Sequence, residues 1–233
     1  MGVRDILIDG IPVLDLLEIT ASTGNVAALT RCDQSSISRL YRHASQQLGL
    51  DFRKANGHYR AHANLNILRS LRQASQLLRL NQAGGQLRWL GNAWNSETLQ
   101  TVGAAGPLPR PWHGEQRTLE LLRERVLDLA VINGLEALPP GWEDSRVPFR
   151  FGDWVAVGLV RYPITRPCRS DHHPLHRPGQ TIDDDPTLPC GSDLDAVVLL
   201  HEHLEHPTIQ QHLDRIRQAY RDAYRHQADL AWL

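Results

Sequence analysis

Apolar residues in the first third of the chain recur at helical rather than strand spacing. Val13, Leu14, Leu17 and Ala21 predict one helix, which Ser22-Thr23-Gly24-Asn25 interrupts while offering caps for a short second helix holding Val26, Ala27 and Leu29. Asp33 is a good N-cap for a third, in which Ile37, Leu40, Tyr41, Ala44 and Leu48 fall at i, i+3, i+4, i+7 and i+11 before Gly49 stops it. That stripe must face a core, so Gln34, Ser35, Ser38, Arg39 and Arg42 are turned partly or wholly away from it. Leu50 and Phe52 anchor the chain again, and residues 53–60 read as a basic hairpin turning at Asn56-Gly57. A long helix follows over 64–80. Its Ile67, Leu71, Ala74 and Leu78 step by 4, 3 and 4, the seam of a two-helix contact; packing onto its own domain is the other use of such a stripe.

Ala83-Gly84-Gly85 marks the clearest boundary. Beyond it, apolar runs at Leu87–Leu90, Leu127–Ile132 and Trp154–Val160 alternate with helical stretches such as Leu119–Glu124, an order that suggests βαβ units. Residues 163–192, rich in Pro, His and Asp, read as loop. A last helix over roughly 207–228 begins with Pro207 in its first turn and carries Ile209, Leu213, Ile216, Tyr220 and Ala223. The chain is therefore expected to be α/β overall, with an all-α winged helix-turn-helix over 1–63, a linker helix over 64–82 and an α/β domain over 83–233.

Composition narrows the class without changing this outline. The 233 residues, 41% hydrophobic and 22% charged, are those of an ordinary globular protein. Cys32, Cys168 and Cys190 are too widely spaced for a zinc knuckle or redox motif and suit a reducing compartment. Asp5, Asp9, Asp15 and Glu18 break any secretory apolar core, and no run of about 18 apolar residues occurs, so a cytoplasmic protein with no membrane partner is expected. The net charge of −1 hides an asymmetry. Residues 31–79 hold nine basic side chains against Asp33 and Asp51, whereas residues from 81 onward hold 15 basic and 20 acidic ones. A local basic stretch is what a phosphate-binding face leaves in a sequence, and equally what a solvated helical face leaves.

The stretch from Ala21 to Gly49 resembles the helix-turn-helix signature of LysR-type regulators. The likeness is most specific at Gln34-Ser35-Ser36-Ile37-Ser38-Arg39 and at Leu48-Gly49, with Phe52 in the position of the family's Leu-Phe pair, and it extends over residues 13–80. Ala44 and Ser45 stand where relatives usually have Leu-Glu, and His62 and Asn64 replace a usual Thr and Gly. A recognition helix needs short polar groups near its N-terminus and longer cations further along. Gln34, Ser35, Ser38 and Arg39 meet that need, and by resemblance would touch double-stranded DNA. Arg42, Arg53 and Lys54 are candidates for phosphate contacts. The resemblance further implies a homo-oligomer joined through residues 64–80 and an effector domain like periplasmic binding proteins. Leu121–Ile132 and Trp154–Val160 resemble parts of that domain, but residues 83–233 are too few for two full lobes. A reduced domain is expected, in which Asn95, Ser96 and Thr98, in a loop after the first strand, are the candidates for an anionic small-molecule effector.

Histidine clusters at 172, 173 and 176 and at 201, 203 and 206 raise metal sensing as a rival reading, with the helical module serving assembly alone. The second cluster is not H-E-x-x-H, since position 205 is Glu, and Asp183-Asp184-Asp185 lacks the spacing of a calcium loop. No metal site or cofactor is expected. Nor is enzyme activity, because neither a nucleophile elbow nor a phosphate-binding glycine loop occurs.

Overall fold

The computed structural model describes residues 5–82, 86–91, 96–102, 107–108, 115–133, 148–162, 193–228 and 230–233. Two units contain them. The first gathers the described residues of Met1–Arg88 with Glu120–Asp128; the second gathers those of Trp89–Leu108, Gly114–Leu119 and Leu129–Leu233.

In the first unit a π-helical turn, Ile6–Gly10, is started by Asp5, whose carboxylate accepts from the backbone N–H groups of Leu7 and Ile8. It leads into α1 (Ile11–Thr20), which has Pro12 in its first turn and is buried along almost all of its length, Asp15 and Glu18 included. Ala21 takes a left-handed φ of 53° and ends the helix. Ser22 then caps α2 (Thr23–Thr30), and Asp33 caps α3 (Gln34–Leu48), which closes on Gly49. Strands β1 (Arg53–Ala55) and β2 (His58–Arg60) form an antiparallel hairpin. Its two turn residues, Asn56 and Gly57, both have positive φ, the conformation a two-residue hairpin with right-handed strand twist demands. The helix α4 (Leu65–Asn81) completes the series.

Substitutions that set this chain apart from its family likeness find local reasons here. Ala44 is fully buried, and a Cβ placed on Gly10 would stand 3.1 Å from the Ala44 Cβ, so two small residues let the opening turn approach α3. Ser45 Oγ accepts from the Phe52 backbone N–H at 2.9 Å and holds the entry to the wing. Asn64, at φ 51°, takes the left-handed conformation usual for glycine, and its Nδ2 donates to the carbonyls of Leu48 and Gly49 at 2.9 and 3.2 Å. One side chain thus satisfies the end of α3 and the turn into α4 together.

The face that α4 buries is not its most apolar stripe. Leu68, Arg72, Ser75, Gln76 and Leu80 point inward. Ile67 and Leu78 remain 42% and 41% exposed, with Leu71 and Ala74 half-buried between them. Arg72, nearly inaccessible, donates from Nε to Asp15 and from Nη2 to Glu18, each at 2.7 Å. Arg88 reaches the other oxygen of Asp15, and Arg79 pairs with Asp128, which also accepts from Gln76 and from the Arg88 backbone N–H. A buried carboxylate without a partner would be severely destabilising, so these guanidinium groups are what allows acids in the middle of the unit.

The second unit is α/β, built on one mixed sheet. Its strands β3 (Trp89–Leu90), β4 (Leu129–Asn133), β5 (Phe149–Phe151), β6 (Trp154–Tyr162), β7 (Asp193–Leu200) and β8 (Ala231–Trp232) take the order β3-β4-β7-β6-β5, with β8 also on β6. Between β3 and β4 run α5 (Ser96–Gln100) and α6 (Glu115–Arg123), whose last turn belongs to the first unit. The β3–β4 pair is parallel, as the βαβ expectation required, while the other described pairs are antiparallel. For β5 and β6 the reason is local: Gly152-Asp153 joins them as a two-residue turn, which returns the chain antiparallel. The helix α7 (Pro207–Tyr224) buries Ile209, Leu213, Ile216 and Tyr220, and the Tyr220 hydroxyl donates to buried Asp195 at 2.8 Å. Residues 163–192 lie outside the described residues.

Arg72→Ala is expected to cost about 3–5 kcal/mol of unfolding free energy, because it strands Asp15 and Glu18 in the interior. Arg217→Ala, which removes a surface pair with Asp214, should stay within about 0.5 kcal/mol. Urea denaturation of the two variants checks both.

Candidate nucleic-acid interface

The exposed side of α3 follows from its sequence. Burial of Ile37, Leu40 and Ala44 turns Gln34, Ser35, Arg39 and Arg42 to the surface and leaves Ser38 half-buried at the margin. These expected contact residues therefore share one side of the second helix of a helix-turn-helix. Asp33 organises its start. One carboxylate oxygen accepts from the Ser36 backbone N–H at 2.7 Å and from the Ser35 hydroxyl, and the other accepts from the Ser36 hydroxyl at 2.6 Å. Arg39 Nη2 donates in turn to Ser36 Oγ at 3.2 Å. Hydrogen bonds from the Ser35 and Ser36 hydroxyls and the Ser36 N–H hold the Asp33 carboxyl well below the usual carboxylate range, with the Arg39 charge adding to the effect. Gln34 Nε2 donates to Thr23 Oγ1 at 2.8 Å, tying the start of α3 to the start of α2.

The hairpin is fixed by one of its own cations. Lys54 Nζ donates to the Ala21 carbonyl, left over at the end of α1, at 2.7 Å, and lies 5.6 Å from the centroid of the Tyr59 ring. Tyr59 in turn stacks on Phe52 with centroids 5.9 Å apart and meets Tyr41 edge-on at 5.7 Å. Arg53 is exposed and lies 3.5 Å from Asp51. Lys54 therefore anchors the wing to the helices while staying at the surface.

Four other basic residues of the 31–79 stretch are matched by acids. Arg72 and Arg79 are committed to internal carboxylates, and Arg60 and Arg69 pair with Glu120 and Glu124 at 2.9 and 3.7 Å. Periodicity places Arg72 on α4 but gives no sign that acids lie beneath it. Asp33 was legible only as a cap, although the D-x-x-S spacing to Ser36 marks the bond that makes it one. In the second unit Asn95 lies outside the described residues. Ser96 and Thr98 sit on the short helix α5 rather than in a loop, exposed and half-buried respectively.

Each histidine of the second cluster has its own surroundings. His201 is exposed, His203 is buried, and His206 caps α7 through its Nδ1, which accepts from the Thr208 N–H. His172, His173, His176 and Asp183–Asp185 lie outside the described residues. Among those described, no group of three His, Cys, Asp or Glu side chains is placed to hold a metal ion, and no helix is long and apolar enough to cross a membrane.

Helix-turn-helix, hairpin and following long helix together define a winged helix-turn-helix module. No family model and no curated protein matches the chain. Among solved structures it is similar to a full-length OxyR variant from Pseudomonas aeruginosa, with 13% identity over 91% of this chain and 97% of that one and a TM-score of 0.43. An OxyR mutant from Corynebacterium glutamicum shows 14% identity over 97% and 95% of the two chains, with a TM-score of 0.43. DarR of Vibrio fischeri, solved in complex with DNA, shows 12% identity over 94% and 100%, with a TM-score of 0.30. At such scores none of these likenesses carries the assignment, which rests on the geometry of the N-terminal module.

Since the Asp33 carboxyl is more acidic in the folded chain than in the unfolded one, its stabilisation is complete above the usual carboxylate range and declines as pH falls through it. Asp33→Ala is expected to melt below the wild type near neutrality, with the gap narrowing by about pH 2.5. Asp33→Asn, which keeps a capping oxygen, should recover most of the neutral loss. Thermal melts followed by circular dichroism read all three.

Proposed function

We propose that this chain is a sequence-specific DNA-binding transcriptional regulator of the LysR type, acting as a homodimer or higher oligomer. The observation that carries the proposal is the exposed polar and cationic side of α3, held beside a pinned basic hairpin while its apolar stripe is buried. In this reading α3 enters the major groove, with Gln34, Ser35, Ser38 and Arg39 toward base edges. Gln34 retains its carbonyl oxygen and one N–H for adenine, and Arg39 retains donors for guanine. Arg42, Arg53 and Lys54 serve phosphates, Lys54 sharing its charge between the Ala21 carbonyl and the DNA.

The outward seam of α4 supports the oligomer. Ile67 and Leu78 are large apolar groups at the surface, and the repeat through Leu71 and Ala74 suits a second copy of the same helix. A two-fold dimer would present two copies of α3 to a pseudo-palindromic site. Residues 1–63, 64–82 and 83–233 then act as reader, linker and reduced effector-like domain, with a small-molecule effector of the last as its partner.

Fluorescence anisotropy with the DNA upstream of the protein's own gene and with shuffled DNA, across a salt series, tests the reading. The native fragment is expected to bind at least about 10³-fold tighter. Arg39→Ala should cost about 1–3 kcal/mol on the specific fragment, whereas Arg53→Ala should weaken both DNAs alike and reduce the salt slope by about 1. Absence of binding to either DNA at low salt would sink the regulator reading. For the seam, Leu78→Glu is expected to shift the protein toward monomer in sedimentation velocity; an unchanged mass distribution would count against it.

A further inference from the structure

An ionised carboxylate can only accept hydrogen bonds, and a serine hydroxyl has one proton to give. Asp33 accepts from the hydroxyls of both Ser35 and Ser36, so both protons are spent inside the first turn of α3. Ser36 is half-buried and receives Arg39 on its oxygen. The Ser35 side chain is exposed, makes no other hydrogen bond among the described residues, and has only lone pairs left for anything approaching from outside. A serine free to rotate pairs with base donors and acceptors alike; this one cannot.

Deepening the DNA-binding reading on which it rests, we propose that Asp33 sets the hydrogen-bonding polarity of the recognition surface. With its proton held by Asp33, Ser35 selects a base that offers an exocyclic amine to the major groove, adenine or cytosine, and disfavours guanine and thymine there. Asp33 is thus a specificity-determining residue that acts through Ser35. Its charge persists through the neutral range, because the same hydroxyl and backbone donors that it orders hold its proton off. A carboxylate so close to the groove also repels guanine O6 and thymine O4, which reinforces the choice. The arrangement leaves Gln34 and Arg39 to read their own positions, since Gln34 is tied to Thr23 and Arg39 touches only the Ser36 oxygen of this network.

The test uses the full chain and duplexes selected by it from a randomised pool. Each adenine or cytosine of a selected duplex is replaced singly by the analogue lacking the exocyclic amine and, separately, by guanine or thymine, and affinities are measured for wild type, Asp33→Gly and Ser35→Ala. The wild type should lose about two- to tenfold at one position per half-site, the size of one hydrogen bond. Ser35→Ala should be insensitive there, and Asp33→Gly, whose free hydroxyl can also donate, should tolerate guanine or thymine at that position where the wild type does not, both keeping the losses at other positions. Ser35 shares one carboxylate oxygen with the capped Ser36 N–H, so an asparagine that kept the cap would still hold it; Asp33→Gly, tolerated at an N-cap, releases the hydroxyl. Ser35→Ala changes only an exposed side chain and serves if the first variant folds poorly. Superimposable profiles for all three proteins would overturn the role of Asp33 and leave DNA binding standing. Failure of the wild type to select any duplex would overturn the DNA-binding reading and this inference with it.

Discussion

The contact between the Arg72 guanidinium and the carboxylates of Asp15 and Glu18 decides how the N-terminal unit is put together. The acids lie on a helix enclosed by the rest of that unit, where water cannot solvate them, and a fork of N–H donors matches both at 2.7 Å. Such a pair adds little net stability over apolar residues of the same volume, since desolvation offsets most of the attraction. Its effect is on choice of structure. With Arg72 bound to α1 and Arg79 bound to Asp128, α4 has one rotation about its axis, and the stripe from Ile67 to Leu78 is the part left outside.

The same cluster draws two cations of the basic stretch inward. A stretch of sequence with nine basic residues suggests a strongly positive face, yet two of them serve internal acids and two are matched by Glu120 and Glu124. Arg39, Arg42, Arg53 and Lys54 stay outward on α3 and the hairpin, while Arg60 and Arg69 are exposed beside their acids. In the DNA-binding reading proposed above, the cations of α3 and the hairpin would favour an oriented complex over diffuse attraction. Lys54 serves two ends at once, since its bond to the Ala21 carbonyl fixes the hairpin relative to α1 and the start of α2.

Polar side chains with defined backbone partners do much of the fitting in this unit. Asp33, Ser45 and Asn64 each take backbone groups that helix ends or turns would otherwise leave unsatisfied. Two of these, Ser45 and Asn64, are among the positions that depart from the family likeness, together with Ala44, whose small side chain admits Gly10. The departures are consistent with one another: a closer opening turn, a bonded wing entry and a capped linker turn. The second unit relies instead on continuous apolar strands, in which Asp195 is accommodated by the Tyr220 hydroxyl.

Element order and the exposed side of α3 were legible in the sequence because both depend on local terms. Helical period, capping residues at Ser22 and Asp33, the stop at Gly49 and the Asn56-Gly57 turn act within a few residues of one another. Tertiary structure alone decided the partners of Arg72, Arg79 and Arg88, because the acids that bind them lie 57, 49 and 73 positions away. It also decided the antiparallel majority of the sheet, since strand direction depends on which distant strands pair. An apolar period reports that a face avoids water, but an arginine carries the same letter whether it meets phosphate, solvent or a buried carboxylate. Only the fold, by bringing Asp15 and Glu18 beneath α4, assigned that charge to the interior.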